Sequence, residues 1–257
     1  MDTVPPSEPT GSSEGLPPGA FEPEAPGLPW ETPGPWASRA WATVRMILQD
    51  PPEAGARLGA RKVLGPAIAF AALVGLPFQW LGQALGALWT PLDGGGANAI
   101  FLKALGQPVP PPPSPEQLAL ARVFLGVQVA LAPLLVALGI LIMGLLAHGG
   151  LWMLRGLERE RGLETTYRSL LYVGAATAWV GFLSIFGLKL PESLLGLHLL
   201  VNLALGLGVL TFQGIVLAHA HGTQTWRGVL AVFLPLVILG CCLAACLVPA
   251  AMAAKAG

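Results

Sequence analysis

"LALARVFLGVQVALAPLLVALGILIMGLLAHGGLWML", residues 118–154, sets the fold class. Apart from Arg122, the run carries no Asp, Glu, Lys or Arg. A helix needs roughly 20 predominantly apolar residues to cross a bilayer. This run exceeds one crossing and is too short for two joined by a turn. It reads as one membrane helix at about 127–153. The part before about Gly126 projects from the bilayer, and a kink is expected at Pro133.

Working outward, four more stretches meet the same criterion, at about 64–89, 168–188, 194–218 and 228–252. The composition agrees: 54% of residues are hydrophobic and 11% are charged. A soluble domain carries about 25% charged residues, so lipid is the natural solvent for most of this chain. The formal net charge is zero, which gives no support to bulk attraction for nucleic acid. The expected fold class is all-α, a bundle of five transmembrane helices preceded by a short interfacial amphipathic helix.

Residues 1–35 lack a basic segment followed by an apolar one, so they do not read as a signal peptide. They are rich in Pro, Gly, Ser and Glu and read as a disordered cytoplasmic tail, with the membrane domain over 36–257. In "PWASRAWATVRMILQDP" Trp36, Ala40, Val44 and Ile47 recur at helical spacing. This segment is expected to lie in the interface, with Trp36 and Trp41 at headgroup depth, and to end at "DPP". Residues 91–117, with the run Gly94-Gly95-Gly96 and "QPVPPPPSPE", form an outer loop.

Lys and Arg concentrate on one side. Arg39, Arg45, Arg57, Arg61 and Lys62 precede the first span; Arg155, Arg159, Arg161 and Arg168 follow the second; Arg227 follows the fourth. Lys103, Arg122, Lys189 and Lys255 fall on the other side. This bias places the N-terminus in the cytoplasm and, after five crossings, the C-terminus outside. Helix packing is expected at the small residues Gly82 and Gly86, Gly174 and Ala178, and Ala204 and Gly208, with Asn202 as a polar contact.

Catalytic signals are sparse. The centres of the spans hold no Asp, Glu, Lys or Arg, which argues against a proton-coupled pump. Ser184 and His198 flank one connection, without a third group or an oxyanion motif. Cys241, Cys242 and Cys246 share one apolar run and read as small buried hydrophobes. His148, His219 and His221 fall on the same side, and three imidazoles suffice for zinc with one open position. The simpler reading is histidine at helix ends, so no metal and no cofactor is expected. "RGLERERGLETTYRSLLY", 155–172, offers Arg155, Arg159, Arg161, Glu164 and Arg168 as a surface for lipid phosphates or a partner.

Three blocks, in order, resemble the Yip1 family of polytopic membrane proteins in its bacterial version. The first is Pro29-Trp30-Glu31 before an aromatic-rich amphipathic helix. The second comprises His148, Gly162, Glu164, Thr166, Arg168 and Tyr172. The third is "HGTQTWRGVLAVFLP", with His221, Gly222, Thr223, Arg227, Ala231, Val232 and Pro235. "GLKLPES" replaces a usual Pro-Gly, and Gly228 stands where the family has Ala. The resemblance implies five membrane helices with a cytoplasmic N-terminus. Eukaryotic members act in early secretory traffic and bind small GTPases and each other. The Ala, Gly, Pro and Leu richness points to a GC-rich bacterium, to which a trafficking role does not transfer directly.

The expected function is a non-enzymatic protein of the bacterial inner membrane that organises membrane or recruits partners through its cytoplasmic face. Arg155, Arg159, Arg161, Glu164, Arg168, His221, Thr223 and Arg227 would form that face. The expected partners are the bilayer and a membrane or cytoplasmic protein, with self-association open and no nucleic acid. One alternative is a transporter or channel component with a polar path past Gln79, Gln83, Gln128, Asn202 and Gln213. The other is a metal-dependent membrane enzyme built on the three histidines.

Overall fold

The computed structural model describes residues 27–89, 106, 108, 111–157 and 161–256. The tail before residue 27, most of the Pro-rich loop 91–117 and Arg159 lie outside the described residues. What is described is all helical, without a strand.

A 3-10 turn, Pro29–Glu31, leads into α1, Trp36–Gln49. "DPP" ends α1 and also starts a further helix, α2, Pro51–Gly59. The Asp50 side chain accepts from the Glu53 amide at 3.2 Å, and Pro51 occupies the first turn, where its missing N–H costs nothing. Among the described residues, five helices are long and apolar enough to cross a membrane. They are α3, Gly65–Trp89; α4, Pro115–Met153; α5, Leu163–Ser184; α6, Glu192–Ala220; and α7, Thr225–Ala256.

Local chemistry explains several boundaries. α4 opens on a reciprocal cap: Ser114 Oγ accepts from the Gln117 amide, and Gln117 Oε1 accepts from the Ser114 amide. It continues through Pro133 to Met153. At 1.5 Å per residue its 39 residues span about 58 Å, well beyond a hydrocarbon core of about 30 Å. In α3, a π turn over Ala71–Gly75 precedes Pro77. Pro77 cannot donate to the Leu73 carbonyl and its ring crowds that group, so the helix widens just before it.

The tight packing gathers at one end. One core joins Leu28, Trp30, Ile47, Leu58, Phe70, Tyr172 and Val216; a second joins Ala147, Leu151, Leu217, Ala231 and Val232. Together they clamp α1, α2 and the near halves of α3 to α7. The far halves present mostly exposed Leu, Val and Phe, a surface suited to lipid.

Several sequence expectations change here. Residues 28–31 belong to the packed domain and not to the tail: Leu28 is fully buried and Trp30 nearly so. Trp36 and Trp41 stay exposed, but α1 turns Ala40, Thr43 and Ile47 inward, so its apolar stripe packs on protein as well as facing outward. The expected small-residue faces hold only in part. Gly82 packs on Ile185, and Ala178 is buried. A Cβ at Gly86, Gly174 or Gly208 would meet nothing within 4 Å, and Ala204 is exposed. Close approach occurs instead at Gly55 and Gly59 on α6, Gly75 on α5, and Gly214 against Gly228. Helices that converge at one end need small residues there, not along their whole length. Cys241 and Cys242, expected buried, are exposed on α7.

Candidate functional site

At the tight end, three segments remote in sequence build a buried polar cluster. The Pro29–Glu31 turn is anchored first. The Trp30 amide donates to Thr43 Oγ1 at 2.8 Å, and its indole Nε1 donates to the Pro66 carbonyl at 2.9 Å. Arg39 donates to the Trp30 carbonyl at 2.9 Å and lies 5.1 Å from the indole centroid. Trp30 packs edge-on to Phe70, which packs on Tyr172.

That anchoring carries Glu31 inside. Glu31 Oε1 accepts from Arg168 Nη2 at 2.5 Å and from the Tyr172 hydroxyl at 2.9 Å. Its other oxygen faces Arg61 Nη1 at 3.9 Å. Arg168 Nη1 donates to the carbonyls of Leu58 and Arg61. The side chains of Glu31 and Arg168 are 2% and 0% exposed. A carboxylate and a guanidinium this dry are tolerable only because each is paired and hydrogen-bonded. The cluster offers no open nucleophile. Its chemistry is that of a lock joining residues 29–31, the C-terminal end of α2 and α5.

A second network sits beside it. His148 Nδ1 and His221 Nε2 both bond Thr166 Oγ1, at 3.0 and 2.9 Å. The rings are 6.0 Å apart. One hydroxyl has a single proton, so at least one imidazole must donate to it. His221 Nδ1 is buried without a partner. Leaving that nitrogen a bare acceptor avoids a buried orphan N–H, so His221 donates from Nε2 and stays neutral.

The connections are tied down as well. Gly222, at φ +65°, closes α6: the Thr223 amide donates to the Ala218 carbonyl at 2.9 Å. Arg155, at φ +54°, makes the same turn after α4, where the Gly156 amide donates to the Leu151 carbonyl at 2.8 Å. Arg227 Nη1 donates to the Arg155 carbonyl at 2.8 Å and couples the two turns. Arg161 donates to the His219 and Ala220 carbonyls, the dipole-negative end of α6.

Several expected roles are thereby corrected. Arg168 and His221, read as surface residues, are fully buried: Glu31 and the end of α2 close over Arg168, and His221 sits against Thr166 and His148. Arg155 and Glu164 are exposed, while Arg161, Thr223 and Arg227 are half-buried. The three histidines do not form a ligand set. His148 and His221 meet on Thr166, but His219 Nδ1 bonds the Ile215 carbonyl of its own helix. Among the described residues no three His, Cys, Asp or Glu side chains converge. Gln83 and Gln128 share a small pocket, whereas Asn202 bonds His198 at 2.6 Å. Ser184 Oγ donates to the Gly181 carbonyl and His198 bonds the Ser184 carbonyl, so these two side chains do not pair with each other.

Glu31 and Tyr172 are the site residues least evident from composition. Only the resemblance blocks single them out, since a lone Glu in an acidic tail carries no burial signal.

Burial, followed by the nearby His148 and Arg161 charges, lowers the His221 pKa from 6.5 to about 4. Between those values the unfolded chain binds more protons than the folded one. Stability is therefore full above pH 6.5, falls as pH drops towards 4, and loses nothing further from this group below that. The shift corresponds to about 3 kcal/mol. Unfolding free energy measured in detergent across this window should fall for the native chain and fall less for His221→Asn. Identical slopes would remove the assignment.

No protein-family model, curated protein or solved structure matches this chain. Fold and composition define its class: an all-helical, multi-pass integral membrane protein with one tightly closed polar end.

Proposed function

We propose that this chain is a non-enzymatic membrane protein of the Yip1 type, which organises membrane or recruits a partner through its polar end. The main support is convergence of the three blocks behind the resemblance, which lie far apart in sequence. Glu31 of the first meets Arg168 and Tyr172 of the second, and His148 and Thr166 of the second meet His221 of the third. Residues shared with a family pattern and joined in buried networks are what a common fold requires. With the Lys and Arg excess, this end faces the cytoplasm and the N-terminus with it. The function then rests on what the closed end displays: Trp36, Trp41 and Arg45 on α1, Glu53 on α2, and Arg155, Glu164 and Trp226 on the connections and helix starts. These side chains mix aromatic and charged groups around a rigid platform, as partner surfaces do.

The test is photo-crosslinking in native membranes from positions 41 and 164, read by mass spectrometry. One discrete protein captured from both positions supports recruitment. Crosslinks to lipid alone, from both, would remove the partner and leave membrane organisation only.

A further inference from the structure

The far halves of α3 and α4 part to leave a groove of about 670 Å³. Ala84, Ala87 and Leu88 form one wall, at helical spacing i, i+3, i+4; Arg122, Leu125 and Val129 form the other. A smaller recess of about 150 Å³ continues it past Gln83 and Gln128. The Trp80 indole donates to the Val129 carbonyl at 3.2 Å and pins the two helices together beneath. The volume is in the range of small-molecule pockets, and the small side chains of Ala84, Ala87 and Gly126 create it.

We infer that this groove binds one anionic phospholipid, its phosphate at Arg122 and an acyl chain along Ala84, Ala87 and Leu125. Depth is the first argument. Arg122 lies 26 residues before His148 on one continuous helix, about 39 Å at 1.5 Å per residue. A bilayer with its headgroups is about 40–45 Å thick. With His148 at the polar end, Arg122 falls at the opposite headgroup layer. Charge is the second. Among the described residues, Arg122 is the only charged one lining the groove, and no acidic side chain pairs with it. The third is the wall. Apolar side chains continue from the cation towards mid-membrane, so the occupant must be an amphiphile, not a free anion. A guanidinium in the groove, with Gln83 and Gln128 in the adjoining recess, suits a phosphodiester and its glycerol oxygens.

The site lies at the end opposite the proposed partner surface, so either can fail alone. The full chain would be reconstituted in vesicles of mixed phosphatidylglycerol and phosphatidylcholine, extracted gently, and examined by native mass spectrometry. Phosphatidylglycerol should be retained in preference, and Arg122→Gln should weaken that retention about five-fold. Ala87→Leu, which fills the groove, should lower retention with helix content unchanged by circular dichroism. Equal retention of both lipids, or retention unaltered in Arg122→Gln, would overturn the proposal. So would a crosslink from position 87 to a second copy that persists in excess phosphatidylglycerol.

Discussion

Glu31→Ala should lower the unfolding free energy by about 3–5 kcal/mol, the cost of leaving one partner of a buried ion pair uncompensated. The orphan would be Arg168, whose side chain has no exposure and whose other hydrogen bonds go to two carbonyl oxygens. Tyr172 would lose its acceptor in the same step. The damage should be local at first. Without Glu31, the Pro29–Glu31 turn is held by the Trp30 and Arg39 contacts, so limited proteolysis should cut between residues 27 and 36 well before the helices unfold. Replacing both partners, Glu31→Leu with Arg168→Met, should cost less than Glu31→Ala alone, because apolar groups of similar size leave no buried charge. Thermal and denaturant unfolding in one detergent would compare the three. A Glu31→Ala protein within about 0.5 kcal/mol of the native chain would show that the lock contributes no net stability.

The second large effect is expected at Gly228. A Cβ there would sit 2.2 Å from the Gly214 carbonyl oxygen and 2.6 Å from Ala218 Cβ. A Cβ at Gly214 would in turn sit 2.4 Å from Val229 Cα. α6 and α7 therefore touch backbone to backbone, and no rotamer relieves the clash. Gly228→Val must push the helices apart and loosen the Leu217, Ala231 and Val232 core; about 1–3 kcal/mol is usual for overpacking, and a backbone clash belongs at the upper end. Gly208→Val on α6 is the control. Its Cβ would meet nothing within 4 Å, so the change should stay within about 0.5 kcal/mol. Equal losses at the two positions would contradict the division of the bundle into a closed and an open end.

That division is only half legible in the sequence. Helical spacing of small residues points correctly to Gly82, which packs on Ile185. The same spacing points to Ala204 and Gly208, where no close contact forms, and is silent on Gly214 and Gly228, where one does. Spacing alone cannot separate these cases, because small residues at helical intervals look the same whether they meet a neighbouring backbone or lipid. α2 escapes the sequence pattern for a related reason. "DPP" reads as a stop, but Asp50 caps the next helix while Pro51 starts it, so the same residues serve both ends. The candidate site is legible only as three resemblance blocks; their charges alone suggest a solvated surface, and the structure buries Arg168 and His221.

Solvent and the number of membrane spans follow from the chain's local chemistry. Apolar runs of membrane length must form helices in lipid, since every backbone N–H and C=O there has to be satisfied within the segment. That requirement can be read from composition and length, and the five spans follow from it. Which charges lie inside was decided by the tertiary structure alone. Glu31 and Arg168 lie 137 residues apart and become a buried pair only when the Pro29–Glu31 turn docks beside α5. His148 and His221 likewise meet only through Thr166. Burial of a charge depends on partners brought from elsewhere in the chain, and no local window of sequence contains them.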